Sequence, residues 1–217
     1  MVYFYKRHGF TLVEILIAIF ILTLALSTIY GAYTGTMRIV RETDREDEIY
    51  GMARSTMKRL VADLGAICRY GNKFVCVSQT SEIGDTMMEL VFLARSHIDF
   101  ERGSSASIAG ITYYVAEGQS ENEYLLMRND ALYEGGENPT FAKDNGHILA
   151  RGISSIMYTF YDQNGNEYDR WDSGTDDHRD KAPSLVAVHL EFAHPDSEDT
   201  PYRFMTKAYV PATGKSK

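Results

Sequence analysis

The tightest constraint on this chain is an apolar run from Phe10 to about Ala32, broken by one charge, Glu14, and preceded by Lys6, Arg7 and Gly9. The run holds Ile15, Leu16, Ile17, Ile19, Phe20, Ile21, Leu22, Leu24 and Leu26. At about 1.5 Å per residue, residues 10–33 coiled as a helix span a hydrocarbon core of roughly 30 Å. The basic residues upstream place the N-terminus in the cytoplasm and send the rest of the chain across the membrane. A secretory signal peptide carries its apolar core ahead of the cut. Here the one candidate cut, after Gly9, precedes the core, so cleavage sheds a basic leader and retains the helix.

Glu14 needs a reason to sit in that run. A carboxylate in lipid costs on the order of 2.5 kcal/mol or more, and such residues are usually functional. One reading places it shallow enough to reach headgroups and water. The other gives it a cationic partner in a neighbouring chain, for which the amine freed at Phe10 by cleavage is the obvious candidate. Both readings stay open.

Removing residues 1–9, which carry Lys6 and Arg7 and no acid, takes the net charge from −8 to −10. An acidic chain without a basic patch argues against nucleic acid. Cys68 and Cys76 are the only cysteines. Two cysteines do not complete a protein zinc site, and the spacing is not that of a CxxC redox unit. An oxidising periplasm permits a disulfide between them; two buried free thiols are the other reading.

The stalk continues into polar sequence. Arg38, Arg41, Glu42, Asp44, Arg45, Glu46, Asp47 and Glu48 crowd together, and then Ile49, Met52, Ala53, Met57, Leu60, Val61, Leu64 and Ile67 recur at spacings of three and four. That is an amphipathic helix with one buried face. The pattern predicts one helix over about residues 11–68, interrupted or curved near Gly31 and Gly35, with Gly71 and Asn72 as its stop. Strands are expected over residues 88–94, 111–117, 124–128, 153–161, 185–193 and 202–210. The segment Asp162-Gln163-Asn164-Gly165-Asn166 is the strongest hairpin turn. Residues 103–107 and 135–145 read as surface loops. The expected fold is α+β: a long helix, membrane-spanning in its first half and amphipathic in its second, packed on one antiparallel sheet or two smaller ones.

Gly9-Phe10-Thr11-Leu12-Val13-Glu14 followed by this helix resembles the class III leader of type IV pilins and type II secretion pseudopilins. The resemblance implies cleavage between Gly9 and Phe10 by a prepilin peptidase, N-methylation of Phe10, and a role for Glu14 in subunit assembly. Further along, Phe160, Tyr161, Asp162, Gly165 and Trp171, then Pro183 and the run Leu185-Val186-Ala187-Val188-His189-Leu190, resemble the minor pseudopilins of the J type. Ala182 stands where that family usually has leucine. The resemblance implies a structural subunit at the tip of a periplasmic pseudopilus. Its partners would be the I, K and H types, the major pseudopilin and an inner-membrane assembly platform, and the filament serves exported proteins. On this reading residues 1–9 are the leader, 10–36 the membrane half of the helix and 37–217 a periplasmic domain, in a single-pass protein of the inner membrane. Arg38, Arg41 and Arg45 are candidate partner contacts at the membrane boundary. The alternative is a minor pilin of a type IV pilus.

No catalytic residue, cofactor or motif for phosphate binding is expected. Ser184 with His189 would make a hydrolase only if an acid and the right geometry joined them, and no glycine elbow flanks the serine. His178, His189 and His194 cluster in sequence, and His189 should face away from Val188 and Leu190. Asp172, Asp176, Asp177 and Asp180 offer hard oxygens for calcium, but without EF-hand spacing; solvated loop acids are the plain reading.

Overall fold

The computed structural model describes residues 9–71, 73–95, 108–120, 123–133, 135, 143, 146–194 and 197–211. Lys6, Arg7, Asn72, residues 103–107 and most of residues 135–145 lie outside these. One helix, α1 (Leu12–Gly65), precedes nine strands: β1 (Cys76–Ser81), β2 (Gly84–Ala94), β3 (Ala109–Glu117), β4 (Tyr124–Leu132), β5 (His147–Arg151), β6 (Ile153–Tyr161), β7 (Glu167–Tyr168), β8 (Leu185–His194) and β9 (Ser197–Tyr209). The fold is α+β, as the sequence pattern predicts. The chain forms two compact units, residues 1–48 and 49–217.

In the first unit α1 runs through Gly31 and Gly35 without a break, so of the two expectations there, interruption or curvature, the interruption does not occur. Neither glycine meets a neighbouring atom at its Cβ position, and each costs only about 1 kcal/mol relative to alanine, too little to end a long helix. The helix also stops earlier than expected. Gly65 is its last residue, and Ile67 leaves to bridge Ala94. There the Cys68 amide donates to the Leu93 carbonyl and the Arg95 amide to the Ala66 carbonyl, so pairing with β2 supplies what another helical turn would have supplied.

In the second unit the end of α1 buries Ile49, Ala53, Thr56, Leu60, Asp63 and Leu64. Leu60 and Leu64 are fully enclosed, each stabilising by roughly 1.5–3 kcal/mol. They join one core with Leu90, Phe92, Ile111, Tyr113, Leu126, Ile156, Tyr158, Phe160, Val188 and Leu190. The strand order is β5-β4-β3-β2-β6-β8-β9, with β1 on β2 and β7 on β6. Two antiparallel sections meet at a single parallel pair, Met87 with Ile156, and the Ser155 hydroxyl crosses this seam to the Thr86 carbonyl at 3.1 Å. β2 is buried on both faces from Met87 to Ala94, so its apparent alternation does not mark a wet side. Glu89 lies in that burial, held by Lys143 Nζ at 2.8 Å and Gln79 Nε2 at 2.9 Å.

The disulfide reading is corrected: Cys68 and Cys76 are buried free thiols. Cys76 pairs with Phe92 across β1–β2, and its amide donates a hydrogen bond to the Ser173 hydroxyl at 2.9 Å. Cys68 is held instead against Leu93. Burial raises the Cys68 thiol pKa, with Arg95 partly offsetting it, and burial pushes Cys76 up to about 12.

Candidate assembly site

The start of α1 is a capping box. Thr11 is the N-cap: the Glu14 amide donates to its hydroxyl at 3.3 Å, and Glu14 Oε2 accepts from the Thr11 amide at 2.8 Å and its hydroxyl at 3.0 Å. This reciprocal arrangement satisfies two main-chain donors that a helix start leaves orphaned. Sequence reasoning missed it, although Thr-x-x-Glu before an apolar run is its standard signature. Glu14 therefore has a local partner already. Its Oε1 has none among the described residues, which leaves one acceptor oxygen open.

Beyond the cap, α1 contains a stretch long and apolar enough to cross a membrane, none of it buried in this chain. Phe10 is 86% exposed, and Ile21, Leu24, Ile29 and Tyr33 are all exposed. Contiguous apolar exposure of this extent is compatible with a membrane span or with packing against other helices. Arg38, Arg41, Glu42, Asp44, Arg45, Glu46, Asp47 and Glu48 are exposed too, and among the described residues none forms an ion pair.

The C-terminal signature residues gather in the second unit. Asp162 follows β6, and its carboxylate caps the turn: Asn166 Nδ2 donates at 2.8 Å, the Asn166 amide at 2.9 Å and the Asn164 amide at 2.8 Å. Those bonds, the Asn166 side chain foremost, hold the carboxyl below its ordinary range. Gly165 takes φ 84° in this turn, a conformation glycine adopts without a Cβ clash. Trp171 is buried, donates to the Lys181 carbonyl at 3.2 Å, and stacks on His178 at 3.9 Å with Tyr168 against both. These groups border a cleft of about 900 Å³ with Arg69, Ser184 and Val210.

The cleft does not bring Ser184 and His189 together, and of the four candidate aspartates only Asp177 and Asp180 line it. Ser184 Oγ lies 2.6 Å from the Asp162 carbonyl and 3.0 Å from the Tyr161 carbonyl, so its hydrogen is committed to the main chain. His189 points off the outer face of β8, outside the cleft. Three of the four loop carboxylates have separate partners, and Asp177 is engaged through its main-chain carbonyl. Asp172 Oδ1 accepts from the Gly174 amide, Asp176 pairs with Arg179, Asp177 offers its carbonyl to Lys181, and Asp180 accepts from the Phe74 amide. Among the described residues no three His, Cys, Asp or Glu side chains converge as a metal site.

A buried ionic cluster was also missed. Asp63 Oδ2 accepts from the Tyr113 hydroxyl at 2.7 Å and from Arg128 Nε at 2.7 Å, while Arg59 Nη2 lies 2.9 Å from Oδ1. Asp63 and Arg128 are fully buried. The signal was available: Asp63 falls on the apolar stripe between Leu60 and Leu64, and Arg128 shares the inward parity of Leu126. The cluster ties α1 to β3 and β4.

Residues 5–30 match the family described as a prokaryotic N-terminal methylation motif. Over 193 residues the chain is 28% identical to the pilin-like protein PilA3 of Thermus thermophilus, covering 83% of this chain and 78% of that one. The motif, the relative and the helix-then-sheet fold support a place in the type IV pilin and pseudopilin superfamily.

Proposed function

We propose that this chain is a minor pseudopilin of the J type, a structural subunit at the tip of a type II secretion pseudopilus. The observation that carries the assembly role is the exposed apolar half of α1 opening on a capped Glu14 with one acceptor oxygen to spare. Prepilin peptidase cuts between Gly9 and Phe10, Phe10 is N-methylated, and Glu14 Oε1 meets the Phe10 amine of a neighbouring subunit. The helix holds the chain in the inner membrane with residues 37–217 in the periplasm. Arg38, Arg41 and Arg45 meet acidic side chains of the I, K and H types or of the major pseudopilin. Support for the J type comes from Phe160, Asp162, Gly165 and Trp171, which form one capped turn on a buried indole.

A second reading is a minor pilin of a type IV pilus, favoured by the likeness to a protein whose name is pilin-like. Deleting the gene separates the two. The secretion reading expects exoproteins trapped in the periplasm and surface pili intact. Lost pili with normal secretion would overturn it in favour of the pilus.

A further inference from the structure

We infer that the outer face of the second sheet section carries a binding site for a soft monovalent metal ion, Cu(I) or its analogue Ag(I), formed by Met157, His189 and Met205. These residues occupy one row across three strands. Met157 pairs with His189 between β6 and β8, and His189 pairs with Met205 between β8 and β9. Directly opposed residues of an antiparallel sheet share a face, with Cβ atoms about 4.5–5.5 Å apart. All three are exposed, Met157 at 41% and Met205 at 58%, while the flanking Ile156, Tyr158, Val188 and Leu190 are buried. The imidazole thus stands between two thioethers on one open surface. Methionine's three rotatable bonds let each sulfur swing toward the central ring.

The neighbouring rows keep this one available. On one side Arg203 is neutralised by Glu191, with Nε 2.9 Å from Oε1. On the other, Lys207 leans away over the Tyr161 ring, 5.6 Å from its centroid. Among the described residues no hydrogen bond, ion pair or ring contact holds His189. Two thioethers and an imidazole supply no negative charge to attract a hard cation, so calcium and magnesium are poor fits. Thioether sulfur with imidazole nitrogen is the donor set that favours Cu(I). Binding transfers no electron: the ion enters and leaves as Cu(I), and the imidazole must shed its proton if it carries one. This site does not depend on the assembly reading, because it is built wholly within β6, β8 and β9.

The test uses the full chain in detergent micelles under anaerobic conditions, with Cu(I) supplied as its bicinchoninate complex. One equivalent should pass from the chelator to the protein. Met157→Leu, His189→Ala and Met205→Leu should each weaken that capture tenfold or more, and leucine keeps methionine's volume. With methyl-labelled methionine, one equivalent of Ag(I) should shift two methyl signals together, those lost in Met157→Leu and Met205→Leu. Failure to take a stoichiometric equivalent would overturn the site. So would undiminished capture by the triple variant, because the ion would then reside on Cys68, Cys76 or another histidine.

Discussion

Asp63 shows most plainly how single residues bind this fold together. Removing one partner of a buried charge pair leaves the other uncompensated, at a cost of about 3–5 kcal/mol. Asp63→Ala should lower the urea-unfolding free energy of the detergent-solubilised chain by that amount, while reversal of exposed Arg203 should change it little. Tyr113 adds a pH signature. Burial first, and then the Asp63 charge, raise its hydroxyl well above the ordinary range. Below about pH 10 the folded and unfolded chains both keep that proton and the contribution is complete. Above it the unfolded chain loses the proton first, so stability falls by about 1.4 kcal/mol per pH unit until the folded pKa is reached. Cys76 and Tyr158, also raised by burial, act in the same direction, so the test is a difference: Tyr113→Phe should show a shallower alkaline limb by one proton. An identical limb would remove Tyr113 from the account. At the other end of the chain, Glu14→Gln separates two roles. Glutamine preserves a capping box but brings no charge, so this variant should keep its helix start and lose capture by partner subunits. Thr11→Ala should do the reverse, fraying the start by about 1 kcal/mol and still being captured.

At the scale of elements, legibility followed the physics of each signal. The helix was readable because eight apolar residues from Ile49 to Ile67 keep one period, and β6 and β8 because alternation there coincides with one buried face. Where two faces are buried, as in β2, or where a strand is short, as in β1 and β5, pattern carries less information. The helix end was misplaced because Cys68 and Ala66 find hydrogen bonds on Leu93 and on Arg95 just past β2, a tertiary fact. The capping box and the Asp63–Arg128 pair were legible in principle, one as a motif and one as charges at inward positions. The cysteines read two ways because loop spacing alone does not decide a disulfide. Two thiols should titrate in the unfolded, non-reduced chain, and neither should be alkylated quickly in the native one, since thiolate is the reactive form; a mass lower by two hydrogens would restore the bridge. The turn after β6 is anchored through Trp171, so Trp171→Ala should cost about 3–5 kcal/mol and loosen β7. A change of less than 1 kcal/mol in urea unfolding would show the indole to be peripheral.

For the whole molecule, the helix that is exposed over its first half and buried over its second requires two environments for one chain. The second half meets β3 and β4 through Asp63, β5 through Met52 and Thr56, and β9 through Tyr50. On the function proposed above, the exposed half lies in lipid before assembly and against the helices of other subunits afterwards. The proposed function stands or falls on removal of the leader after Gly9 with the helix kept in the assembled state. The most direct measurement is the intact mass and N-terminal sequence of the chain recovered from cross-linked assemblies of the cell envelope. The recovered chain should begin at N-methylated Phe10 and still carry Glu14. Recovery of an assembled chain with Met1 attached, or of one cut downstream of the apolar run, would contradict it.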